Sequence, residues 1–278
     1  MLANPVIAVI IAVASWWIAT GIGLMIAHAR IDRFWMMFTT SVTTLFAIGI
    51  VAFTVNDTSA FGAYAALLGA LLIWGWHEVA FLLGIITGPR RDVLPKDVSD
   101  QRRFFLAFQA LRDHELALFA TMIVFVAFLW TAENQAAMWM FVLLWAMRIS
   151  TKLNIFFGAP NAVSELLPTR LSYLKSYFRT DRVNPYFAFS VLLALAVFCV
   201  SARLAFVAVD DGATVTWSAL AAFAGLGLLE HFFLVLPMRD AELWRILLPK
   251  NNKKPVETPV VEGPAVPITQ TKKGPVRA

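Results

Sequence analysis

The sequence predicts an all-α, polytopic membrane protein: a bundle of about seven transmembrane helices, N-terminus outside and C-terminus in the cytoplasm. Three observations predict it. Of 278 residues, 59% are hydrophobic and 15% charged, whereas a soluble chain carries about 25% charged residues. Seven stretches approach the roughly 20 apolar residues that a helix needs to cross the hydrocarbon core. Lys and Arg in the connections gather on one side. A soluble enzyme and a disordered chain are excluded by this composition, and a single cysteine, Cys199, excludes a disulfide scaffold.

The spans are taken in order. The first, about 5–28, follows Met1-Leu2-Ala3-Asn4-Pro5, which lacks the basic opening of a signal peptide, so it is expected to remain as a span. The second and third cover about 35–56 and 60–87. The fourth and fifth, about 114–132 and 136–157, are separated by Ala132-Glu133-Asn134-Gln135 and form a tight helical hairpin. The sixth and seventh cover about 186–208 and 215–236. No alternation of period two suggests a barrel, and lipid offers an open backbone no partner. Together they form a transmembrane domain over 1–248.

Orientation follows from the basic residues. Arg30 and Arg33 lie in the first connection, six Lys/Arg in 88–113, four in 158–185 and eight from residue 237 onward. That places twenty of the twenty-three basic residues on one side, while the opposite connections hold only Asp57, Glu133, Asp210 and Asp211. The positive-inside rule makes the basic side cytoplasmic. Residues 249–278 carry six Lys/Arg, two Glu, six Pro and no aromatic residue, the composition of a disordered tail. The formal charge of +5 therefore speaks for anionic lipid headgroups and not for nucleic acid.

Two cytoplasmic segments carry helical patterns. Residues 97–113 continue the fourth span, with Phe104, Phe105, Phe108 and Leu111 as an apolar stripe. Residues 165–179 space Leu167, Leu171, Leu174 and Phe178 between Arg170, Lys175 and Arg179, as in a helix lying on headgroups or a surface for a partner. The weaker features have bland readings. Gly84-x-x-x-Gly88 fits a helix-packing motif. The threonines at 39, 40, 43 and 44 bond to their own helix. Arg203 snorkels outward or pairs with Asp210 or Asp211. His28 is interfacial.

Ionisable residues inside a bilayer cost roughly 2.5–3.5 kcal/mol at a helix centre, so each needs a reason. Trp76-His77-Glu78 lies in the third span and Glu230-His231 in the seventh. Arg148, Lys152 and Asn154 lie in the fifth, and Asp113-His114-Glu115 opens the fourth at the cytoplasmic boundary. Arg148 and Lys152 are four apart and share a helix face. The candidate site is therefore a polar pocket in the cytoplasmic half, with His77, His114, His231, Glu78, Glu115 and Glu230 as cofactor-binding residues and Arg148, Lys152 and Asn154 as a compensating polar network. Three accounts compete: an ion-pair network that only fixes packing, a site at which an imidazole ligates a bacteriochlorophyll precursor, haem or divalent metal, or a site of proton transfer or catalysis. Neither His77-Glu78 nor His114-Glu115 completes H-E-x-x-H, and no nucleophile elbow or P-loop is present. The residues assign no catalytic role.

The strings Trp76-His77-Glu78, Gly88-Pro89-Arg90-Arg91, Arg103-Phe104 and His114-Glu115-Leu116-Ala117-Leu118 occur in a distinctive order. They are followed by Lys152-Leu153-Asn154-Ile155-Phe156-Phe157-Gly158-Ala159-Pro160-Asn161, Leu167-Pro168, and Leu171-Ser172-Tyr173-Leu174-Lys175-Ser176-Tyr177-Phe178. Over about 5–245 this resembles the PuhE family, photosynthetic complex assembly proteins encoded beside the reaction-centre H subunit gene in purple phototrophic bacteria. The resemblance implies an inner-membrane assembly factor, in the cytoplasmic membrane or its intracytoplasmic photosynthetic extension. It implies an influence on bacteriochlorophyll supply or on reaction-centre and light-harvesting biogenesis. Loops 88–113 and 158–185 would then meet photosynthetic apoproteins or pigment-biosynthesis enzymes. The alternatives are a membrane-embedded metal-dependent enzyme, or a transporter of a small molecule or pigment precursor.

Overall fold

The computed structural model describes residues 2–29, 32–162 and 167–236. The tail at 249–278 and the start of the 165–179 segment lie outside them. Seven α-helices appear in order: α1 (Pro5–His28), α2 (Arg33–Phe53), α3 (Ala60–Leu82), α4 (Asp100–Leu129), α5 (Ala136–Phe157), α6 (Tyr186–Val207) and α7 (Asp211–Phe233). A 3₁₀ helix, Thr169–Tyr177, lies between α5 and α6. Among the described residues there is no strand.

Local chemistry sets the helix starts. Asn4, Asp32, Ser59, Ser99 and Asp210 each accept a hydrogen bond from a backbone N–H of the first turn they precede, which satisfies donors that have no helical partner. Asp210 is thus a cap, and the Arg203 guanidinium stands 5.9 Å over the Phe206 ring; the expected pairing of the two is not found. The threonines of α2 bond back to their own helix as expected.

Six of the helices are long and apolar enough to cross a membrane. The exception is α4, whose Asp100–Glu115 portion is rich in charge. It runs unbroken for 30 residues, about 45 Å and longer than a 30 Å hydrocarbon core.

α3 and α7 form the centre, with 50% and 56% of their apolar stretches buried, against 6% for the peripheral α2. Small side chains let the backbones approach: Ala63, Ala66 and Ala70 of α3 and Ala219 and Ala224 of α7 share one core with Phe141 and Leu118.

The end of α3 departs from expectation. The third span, expected to reach residue 87, stops at Leu82, and Gly84 adopts φ +70°. Gly84 N–H donates to Phe81 O and Ile85 N–H to Ala80 O, the paired bonds of a glycine-terminated helix. Gly88 then packs on the backbone of Gln109 and Ala110 in α4. Gly84-x-x-x-Gly88 is therefore a chain reversal and a close approach, not a helix-packing stripe.

The 165–179 segment is also different in kind. Its described part is a 3₁₀ helix whose Leu171, Tyr173, Leu174 and Tyr177 are buried against Phe81, Leu106 and Ala110. Its apolar face caps the bundle instead of meeting headgroups. Arg103 fixes it, donating to Phe156 O at 2.9 Å and Tyr177 O at 2.6 Å, with its guanidinium 4.1 Å over the Phe156 ring.

Candidate functional site

Helix periodicity brings α3, α4 and α5 together around two ion pairs. Arg148 and Lys152, one turn apart, both turn inward from α5. Arg148 binds Glu78 of α3 at 3.0 Å, and Lys152 binds Glu115 of α4 in a short direct pair. Glu115, expected at the boundary, consequently lies five residues inside the end of α5, about 8 Å along the helix. Arg148 also feels the carboxylates of Glu230 and Glu115, so α7 contributes charge to the same centre.

Two histidines complete it. His77 is 5% exposed, and its Nε2 meets Thr121 Oγ1 of α4 at 2.9 Å. His114 is fully enclosed, its ring 4.6 Å from that of Phe81 and within electrostatic reach of Lys152, Arg148 and His77. Among the described residues, neither of its ring nitrogens has a hydrogen-bond partner, nor do His77 Nδ1, Glu78 Oε1, Glu115 Oε2 and Arg148 Nε. Buried polar atoms are bonded in the large majority of cases, so this concentration is unusual.

His231 and Asn154, expected in the same pocket, form a second network. His231 Nδ1 donates to Gly227 O at 2.7 Å. A carbonyl only accepts, so Nδ1 holds the proton, and in the neutral ring Nε2 accepts from the Ser150 hydroxyl at 2.8 Å. Both nitrogens are thereby engaged. Asn154 donates to Ser150 O and to Ser190 Oγ of α6, and Asn184 donates to Asn154 Oδ1 and Gly158 O. This network ties α5, α6 and α7 to the chain entering α6.

The sequence reading missed Thr121, Ser150 and Ser190, because short polar side chains are commonplace in apolar helices, and Asn184, because it lies in the irregular chain before α6. Ser150 carried one signal: it precedes Asn154 by one helical turn and shares its face. Arg103 was counted only as a loop charge; nothing in its spacing announces burial.

Among the described residues, no group of three or more His, Cys, Asp or Glu side chains is placed to hold a metal ion. A groove of about 910 Å³ runs between α2 and α3, lined by Leu45, Phe46, Phe53 and Leu68. Leu68 lies nine residues before His77, about 14 Å along α3.

Comparison with known proteins gives the family. A family described as "Protein of unknown function (DUF3623)" matches residues 2–255. The chain belongs to the DUF3623 family. It is 36% identical over 261 residues, covering 92% of this chain and 94% of the relative, to a Rhodobacter capsulatus protein named "Uncharacterized 30.4 kDa protein in puhA 5'region". No solved structure matches the chain.

Proposed function

We propose that this DUF3623 protein is a PuhE-type assembly factor of the photosynthetic apparatus, acting in the bacterial cytoplasmic membrane or its photosynthetic extension. The observation that carries the reading is the relative's place in the puhA 5' region. The apolar helices support membrane residence, and the resemblance supplies the link to bacteriochlorophyll supply and complex biogenesis. The chain crosses the membrane seven times, with α4 as the seventh crossing and the basic connections in the cytoplasm. Loops 88–113 and 158–185 are then the parts offered to apoproteins or biosynthetic enzymes.

The geometry narrows where a pigment, haem or metal would be met. His231 has both nitrogens engaged, which leaves His77 and His114. His114 exposes none of its surface, so a flat macrocycle reaches its nitrogens only by parting α3 from α4. At His114 the packing leaves a tetrapyrrole no approach, and His77 offers only Nδ1; assembly without a resident pigment is the favoured form of the proposal.

The test is deletion and complementation in the phototrophic host. Loss of the protein is expected to change the near-infrared absorbance of reaction-centre and light-harvesting complexes per unit of membrane protein, and a wild-type copy to restore it. Unchanged spectra would overturn the proposal. A colourless purified protein is expected; a stoichiometric Soret band would replace the assembly reading with pigment carriage.

A further inference from the structure

Six buried polar atoms on five residues of the α3–α4–α5 centre lack partners among the described residues: His77 Nδ1, Glu78 Oε1, both ring nitrogens of His114, Glu115 Oε2 and Arg148 Nε. Their chemistry restricts what answers them. The two carboxylate oxygens only accept. Arg148 Nε only donates, and each neutral imidazole offers one donor and one acceptor. A cation would suit the carboxylates but be repelled by Arg148 and Lys152. An anion would suit the guanidinium but be repelled by Glu78 and Glu115. With Glu230 the centre counts three carboxylates against the two bases, but the leftover atoms mix donors with acceptors, so the missing partner is not a simple ion. It must donate at some positions and accept at others. Water does both.

We propose that this centre is a hydrated proton-exchange site, in which ordered waters join the imidazoles of His77 and His114 to the free carboxylate oxygens of Glu78 and Glu115. A buried water makes about three hydrogen bonds, so six atoms call for about two waters. Exchange follows from the connectivity. An imidazole that passes its N–H proton to a water on one side takes a proton from a water at its other nitrogen. One proton is relayed from the second water to the first, both waters are restored by exchange with the next partners in the chain, and the ring ends neutral in its other tautomer. At His77 the Thr121 hydroxyl on Nε2 stands in for one of the waters, and nothing is oxidised or reduced. Arg148 and Lys152 stay paired with the two carboxylates and keep them apart while this happens. The inference does not rest on the assembly role, and a resident cofactor would claim the same atoms, so the test must separate them.

The second histidine network supplies the internal control. Full-length protein labelled with ¹⁵N-histidine and placed in lipid nanodiscs allows imidazole N–H exchange with bulk water to be measured site by site. His77 and His114 are expected to exchange at least about a hundredfold faster than His231, whose ring is tied to Gly227 and Ser150. Exchange at His114 as slow as at His231 would overturn the proposal. So would ring shifts showing either histidine bound to a metal or pigment, which would favour the cofactor reading instead. His114→Phe gives an independent readout. In a hydrated centre it removes water partners, lowering the melting temperature and slowing exchange at His77. In a dry centre it replaces an unpartnered imidazole by an apolar ring, and a raised melting temperature would count against hydration.

Discussion

Arg148 and Glu78 meet at 3.0 Å, their side chains 35% and 20% exposed, on helices long and apolar enough to cross a membrane. Breaking such a pair from one side leaves an uncompensated charge, whereas replacing both partners by neutral groups of similar size is often nearly neutral. Arg148→Ala is therefore expected to destabilise the protein by about 3 kcal/mol, and Glu78→Gln with Arg148→Met to return it to within about 1 kcal/mol of wild type. Unfolding in detergent measures both; equal stability of the single and double variants would contradict the pairing. The attraction of charge for charge was legible in the sequence, because Arg148 and Lys152 share a face four residues apart. The partition was not. Which glutamate takes which base, and that Asn154 and His231 leave the group for Ser150 and Ser190, depends on helix rotation, which hydropathy does not encode.

At the scale of elements, α3 ends where backbone geometry demands glycine. Gly84 at φ +70° has no room in conformational space for a branched side chain, and Gly84→Ala is expected to cost about 1 kcal/mol. Gly88 is limited by space instead, since a Cβ there would enter the backbone of Gln109 and Ala110. Gly88→Ala must push α4 away and is expected to lower the melting temperature more than Gly84→Ala does; the reverse order would show that strain outweighs contact. The sequence motif contained both glycines, yet spacing alone could not distinguish a packing stripe from a turn followed by a close approach. The same reason hides the 3₁₀ helix: its leucines keep a helical rhythm in the sequence, but Arg103 and Tyr177 hold it in a tighter turn against α4. Nearby, Asp100 accepts from Arg179 at 2.9 Å, and that hydrogen bond with the adjacent charge lowers its pKa below the ordinary 3.8. A lowered carboxylate pKa stabilises the fold above the unfolded value and ceases to do so as pH falls through the folded one. The difference in melting temperature between wild type and Asp100→Asn is therefore expected near neutral pH and to vanish below the ordinary Asp value.

For the molecule as a whole, the asymmetry of basic residues was the most informative feature of the sequence, since a miscounted span would have scattered it. The helical fold and the six helices long and apolar enough to cross a membrane fit a polytopic membrane protein, while the sidedness rests on the charge pattern. It makes a direct prediction about sidedness. With Cys199→Ala as background, Thr58→Cys is expected to react with a membrane-impermeant maleimide from outside intact cells, and Arg91→Cys only after lysis. The opposite pattern would invert the topology.

The central proposal is that the protein supports photosynthetic complex assembly, and the buried polar centre is tested for a part in it. The direct measurement is the near-infrared spectrum of membranes from a deletion strain carrying either a wild-type copy or one with Glu115→Gln and Lys152→Met. The wild-type copy is predicted to restore the complexes, while the variant, present in the membrane at the same level, is predicted not to. Full restoration by the variant would contradict a functional centre and leave the ion pairs as packing alone.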